Sequence, residues 1–155
     1  MHRINLHQAK FEYDDADPPG YRGGMVQVSR ELEARETTIK WFELPAGESL
    51  CPYHYEYTEE WLFVLEGEVI VRTPDGEEPA DPGSLIRFPA GAEGAHKLTN
   101  TGDRAARFLM WSSSREPAVA VYPDSDKIGV WPGDRRDELM LRRSDGQVPY
   151  YDGEV

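Results

Sequence analysis

Hydrophobic positions in this chain come in short runs, each closed by a turn signal. From Thr37 to Leu44 the run TTIKWFEL is rich in β-branched and aromatic residues, and Pro45-Ala46-Gly47 ends it. Glu60 to Leu65 meets Glu66-Gly67, and Glu68 to Arg72 meets Pro74-Asp75-Gly76. After Asp81-Pro82-Gly83, the run Ser84 to Phe88 meets Pro89-Ala90-Gly91, and Ala106 to Ser112 follows the turn at Thr101-Gly102-Asp103. Strands of this length at near-regular spacing predict an antiparallel all-β sandwich or barrel. Ser29 to Glu36 tolerates either a helix or a strand. Residues 1–24 are polar and read as an arm that docks on the domain or on a second subunit. The tail from Ala118 to Val155 carries aromatics and turn pairs, which predict ordered structure. No internal repeat or low-complexity segment interrupts the pattern. One domain over residues 1–155 is the simplest organisation: an arm with the first strands (1–36), a barrel core (37–115) and a C-terminal extension (116–155).

Composition narrows the class. A chain of 155 residues with 39% hydrophobic content can bury one real core. The single cysteine, Cys51, can build neither an intrachain disulfide nor a thiolate metal cage, and it suits a reducing, cytoplasmic setting. No apolar run in Met1 to Gly24 could serve as a signal or anchor. No segment elsewhere approaches the roughly 20 apolar residues of a spanning helix. With 29 acids against 17 bases the net charge is −12, which repels phosphate backbones and anionic lipid. Nucleic acid and membrane are therefore not expected partners; a small molecule is.

Of the four histidines, His2 and His7 fall in the polar arm and read as solvated. His54 lies in Pro52-Tyr53-His54-Tyr55-Glu56-Tyr57, just before a clear strand. In extended chain, residues two apart share a face, so His54 and Glu56 face one way and Tyr53, Tyr55 and Tyr57 the other. Glu60 opens the next strand on the same face as Leu62 and Val64. An acid on an apolar inner face is costly unless it is paired or bound to a metal. Each of these residues also has a plainer reading. A buried histidine can simply bond a backbone carbonyl, and Glu60 can be a strand-edge charge.

These residues resemble the signatures of the cupin superfamily. Gly47, His54, Glu56, Glu60 and Gly67 follow its first motif, with three residues between Glu56 and Glu60 and six between Glu60 and Gly67. Gly83, Pro89-Ala90-Gly91, His96 and Asn100 follow the second, with an insertion at Ala92 to Ala95 that places His96 later than usual. The 15 residues between Gly67 and Gly83 form the inter-motif hairpin. The resemblance covers roughly residues 37–115. It implies a double-stranded β-helix, or jelly-roll, barrel with one divalent metal ion (Fe, Mn, Ni or Zn) held inside. His54, Glu60 and His96 match ligand positions, and Glu56 stands where a second histidine is usual. Glu56 either ligates as a substituted fourth ligand, or turns to solvent or to an arginine such as Arg72 or Arg87. The resemblance also implies a homodimer. The tail, with YPDSDKIGV and YYDGE, resembles a subgroup of small single-domain bacterial cupins sometimes related by fold to sugar-phosphate isomerases.

Three functions follow. The first is a mononuclear metalloenzyme acting on a small polar molecule, of dioxygenase, isomerase or lyase type. In that case an unliganded Glu56 could serve as general base. The second is a non-catalytic module that binds a small ligand or a metal. The third is a cupin whose altered second ligand has lost the metal.

Overall fold

The computed structural model describes residues 1–154; Val155, the end of the tail read as ordered, lies outside them. The polar arm carries β1 (Glu12–Tyr13) and β2 (Gly24–Val26), followed by the single-turn helix α1 (Val28–Glu31). The runs predicted as strands fold as β3 (Thr37–Leu44), β5 (Glu60–Glu66), β6 (Val69–Thr73), β8 (Leu85–Phe88) and β10 (Ala106–Ser113). Between them lie the short β4 (Tyr55–Glu56), β7 (Gly76–Ala80) and β9 (Lys97–Thr99). The tail adds β11 (Ala118–Tyr122), β12 (Lys127–Trp131), β13 (Leu139–Arg142) and the turn α2 (Arg143–Gly146). β6 and β7 form the hairpin expected around Pro74-Asp75-Gly76.

The strands make a jelly-roll barrel of two layers. One layer is a six-stranded sheet in the order β1-β2-β3-β10-β5-β8. The other is assembled from β7-β6-β9 and from β13-β12-β11-β4. Two isolated bridges, Ser49 with Thr99 and His54 with His96, join those two parts across the middle. The seam of the second layer therefore runs through the two candidate histidines.

Strict alternation sets what fills the barrel. Phe42, Phe108 and Val64 face one another across β3, β10 and β5, and they lie in the main core with Leu44, Leu62, Val69, Val71 and Leu98. The next inward row is Lys40, Met110 and Leu62, and the one beyond it is Thr38, Ser112 and Glu60. The inner surface thus passes from an apolar floor to a polar mouth along the same three strands. On the outer face of the six-stranded sheet, Ile4, Leu6, Ala9 and Phe11 of the arm pack against Val26, Val28 and Trp41. The arm docks on its own domain.

Two residues of the motifs owe their identity to this packing rather than to chemistry. Gly67 turns the chain with φ +71°, and a Cβ there would come within 2.8 Å of the Ala106 Cα. Asn100, 1% exposed, donates from Nδ2 to the carbonyls of Leu44 and Arg104, both at 2.7 Å. Its Oδ1 accepts from the amide of Gly102 at 2.9 Å, so every polar atom of the side chain is used in holding the β9–β10 turn.

Candidate metal centre

His54 and His96 sit opposite each other in the seam. The amide of His54 donates to the carbonyl of His96 at 3.1 Å, and the amide of His96 returns the bond at 2.8 Å. Each ring is then fixed by its own turn. His54 Nδ1 donates to the Pro52 carbonyl at 3.0 Å, and His96 Nδ1 donates to the Gly94 carbonyl at 2.9 Å. The insertion at Ala92 to Ala95 supplies that second carbonyl as a single 3-10 turn, Ala92–Gly94. A Cβ on Gly94 would run into the backbone of Pro89, so only glycine lets the turn close and aim His96 inward. Phe88 stacks on the His96 ring with centroids 3.7 Å apart, and Tyr122 stacks on His54 at 5.8 Å. With Nδ1 protonated on both rings, both Nε2 lone pairs point into the barrel.

Glu60 reaches the same point from the opposite layer. Its Oε2 lies 3.8 Å from His54 Nε2 and 3.7 Å from His96 Nε2, and one atom from each residue falls within 4.8 Å of the others. These gaps are too long for hydrogen bonds. Ligands that share one ion through bonds of ~2.0–2.2 Å stand roughly 3–4 Å apart, which is the separation seen here. The decisive atom is His96 Nε2, which is buried with no hydrogen-bond partner. An acceptor so placed costs about 1–3 kcal/mol when left bare, and a cation between it and Glu60 satisfies it. The backbone-carbonyl bonds of the plainer reading account for both Nδ1 atoms and leave His96 Nε2 without a partner.

Electrostatics agree with a site shaped for a cation. Burial, and then the charge of Glu56, push the Glu60 carboxyl up to about 8, while Lys40 pulls the other way. Burial, and then the neighbouring His54, bring His96 down to about 4, and burial also lowers His54. Two neutral imidazoles therefore face a carboxyl that loses its proton readily only when a positive charge arrives. Glu56 stands outside this group of three. Its Oε2 accepts from Thr58 Oγ1 at 3.3 Å, and the residue lines the mouth beside Glu60. It takes neither arginine partner that the sequence offered: Arg72 holds Asp124 at 2.5 Å, and Arg87 is bonded to Glu59. Beside Glu60 opens a cavity of about 830 Å³, bordered also by Lys40, Glu56, Met110, Tyr122, Trp131 and Arg135 among others.

Residues 40–112 match the family model described as the Cupin domain. The matched segment is the barrel core that carries both motifs, and the whole fold is one that solved cupin structures share. A sugar phosphate isomerase of the cupin superfamily from Silicibacter pomeroyi superposes with a TM-score of 0.79, over 97% of this chain and 98% of its own, at 23% identity. A structure from Acidithiobacillus ferrooxidans gives 0.81 over 93% and 92%, at 21% identity. Protein SchB of Streptomyces halstedii is 27% identical over 101 residues, which is 63% of this chain and 72% of that protein.

Two residues of the cavity, Lys40 and Tyr122, were not singled out in the sequence, and a third was named as a possible lining group but placed by alternation on the far face. Lys40 had a signal, since alternation in TTIKWFEL puts it on the face of Phe42 and Leu44. Tyr122 had none, because only the pairing of β11 with β4 brings the tail to His54. Its phenol is pushed up to about 12, first by burial and then by nearby Cys51 and the carboxylates of Glu56 and Glu60, so it is a firm O–H donor. The third is Tyr57, expected to face away from the ligands. It borders the cavity because β4 ends at Glu56 and the chain bends at once. Cys51 lies with Sγ 3.4 Å from His54 Nδ1, and burial pushes its thiol up to about 12, which leaves it an inert neighbour.

The shifted groups predict how the metal-free protein responds to pH. Folded Glu60 keeps its proton up to about pH 8, whereas the unfolded chain has already released it, so stability falls as pH rises through that window. His96 acts in the opposite sense, because the unfolded chain takes up a proton below ~6.5 that the folded state refuses. The two effects oppose each other below ~6.5, and only the loss from Glu60 remains above it. The expected result is little change below pH ~6.5 and a loss of about 2 kcal/mol by pH ~8, at ~1.4 kcal/mol per pH unit. Chemical denaturation of chelator-treated protein over that interval checks it, and flat or rising stability there would contradict it.

Proposed function

We propose that this cupin holds one divalent ion on His54, Glu60 and His96 and carries out proton-transfer chemistry, of isomerase or lyase type, on a small polar molecule. The bare Nε2 of His96, converging with His54 and Glu60, is the observation that supports the metal. Two imidazoles and one carboxylate with open positions suit Fe, Mn, Ni or Zn. Bound there, the ion would supply Lewis acidity to a ligand carbonyl or hydroxyl oxygen.

Glu56, free of that group, supports the proton-transfer reading. Its carboxylate borders the cavity one strand position from the ligands, with Thr58 Oγ1 holding one oxygen and the other open. It can take a proton from a carbon made acidic beside a polarised carbonyl and return it to a neighbouring atom. Tyr122 can donate its phenolic hydrogen to a ligand oxygen on the other wall. The Silicibacter pomeroyi protein named a sugar phosphate isomerase shares this fold, and likeness of fold alone sets no substrate.

Exchange of carbon-bound hydrogen with solvent deuterium, followed by NMR over a panel of hydroxyketones and keto acids, tests this reading. Metal-loaded wild type is expected to exchange at least one of them. Glu56→Gln is expected to lose about 100-fold in rate while keeping one metal per chain. Unchanged exchange in the variant would sink the role of Glu56. No exchange in the wild type would leave a binding module in place of an enzyme.

A further inference from the structure

Lys40 is out of place by the ordinary rules of barrel interiors. It projects from the middle of β3 into the barrel, in the same row as Met110 and Leu62 and next to the row of Phe42 and Phe108. A cation on that face is expensive unless something of opposite charge meets it. No carboxylate forms an ion pair with it among the described residues, although the cavity contains Glu56 and Glu60. Its charge is nonetheless felt at Glu60 and His54, so the ammonium stands within electrostatic reach of two of the three ligands. It borders the cavity directly, at the level where the apolar floor gives way to the polar mouth.

A divalent ion on His54, Glu60 and His96 would leave Lys40 and the ion as two uncompensated positive centres at one end of the cavity. Glu56, which borders the same cavity outside the group of three, is held by Thr58 and forms no ion pair with Lys40. We infer that Lys40 is the anion-binding residue of this cavity and that the molecule it accepts is a small anion bearing a carboxylate or a phosphate. The inference rests on the metal reading above, because the ion supplies the second positive pole. Such a ligand would place its anionic end between Lys40 and the metal, with its remaining atoms turned towards Glu56 and Tyr122. At the rim Arg115 and Arg135, without ion pairs among the described residues, stand among Glu116 and Glu138, so this entrance does not carry the excess of acid of the chain's overall −12 charge.

Isothermal titration of metal-loaded and metal-free protein decides it, with inorganic phosphate and pyruvate as the two anionic probes and dihydroxyacetone as the neutral control. The wild type is expected to bind at least one anion, and which one it binds tells phosphate from carboxylate. Lys40→Met, whose thioether suits a row already holding Met110, is expected to weaken that binding about 10- to 100-fold. Lys40→Arg should recover to within about three-fold, and metal content should stay at one per chain in all three proteins. Equal affinity in Lys40→Met, or no anion bound by the wild type at ~10 mM, overturns the inference. Failure of the metal reading is seen separately, as wild-type protein that takes up no ion. Anion binding by that same metal-free protein, lost in Lys40→Met, would still support Lys40.

Discussion

Glu60→Ala is expected to abolish the proposed metal binding while leaving the protein folded. Structural ions held by four side chains gain about 10–16 kcal/mol in all, or about 3 kcal/mol per ligand, so one lost ligand should weaken binding about 100- to 1000-fold. Glu60 is the only anion of the three and the only member supplied by the six-stranded layer. Without it, two neutral imidazoles on adjoining backbone would remain. The side chain faces the open cavity rather than packed core, so its removal creates no closed void. It also removes the carboxyl that burial holds up near 8, and the metal-free variant should therefore match or exceed wild-type stability above neutral pH. Elemental analysis after reconstitution, paired with denaturation of the metal-free forms, measures both. Stoichiometric metal in the Ala variant would remove Glu60 from the site.

Phe108→Ala should do the reverse, leaving the three ligands untouched and undermining what holds them. Phe108 is wholly buried at the centre of β10, the strand paired with both β3 and β5, and its ring meets Phe42 at 5.6 Å. Truncating such a ring costs about 3–5 kcal/mol, a large share of the 5–15 kcal/mol that keeps a domain folded. For a domain of this size the thermal midpoint should drop by roughly 10 °C. A thermal melt followed by circular dichroism reads it directly. A drop of only ~2 °C would mean that the barrel floor closes around the missing ring far better than this packing suggests.

Much of this architecture was legible before any coordinates. The strand runs ended where proline and glycine closed them, because short strands in a barrel turn wherever alternation stops. Glu60 was conspicuous for a physical reason, an acid in step with Leu62 and Val64. The joining of β9 to β4 through His54 and His96 was not legible, since a bridge of one residue pair leaves no periodic mark. Neither was the contact between Tyr122 and His54, which depends on β11 returning to β4. The docking of the arm was visible only as one of two options, because Ile4, Leu6, Ala9 and Phe11 are too sparsely spaced to read as a buried face. For Glu56, alternation gave a face in common with His54, and the side chain stands at the cavity outside the group of three. It could not give the side-chain direction, which Thr58 sets.

β11 carries a consequence for how such a protein can diverge. The three candidate ligands all lie between residues 54 and 96, whereas Tyr122, Trp131 and Arg135, which shape one wall of the chamber beside Glu60, come from the tail. The tail meets the ligand-bearing segment mainly through the short β4–β11 pairing and the Tyr122 stack. The candidate ligands and this one wall of the chamber are thus written in separate stretches of chain. Substitutions in the tail can retune what is admitted while the three side chains beneath stay as they are, so selection can act on one without renegotiating the other.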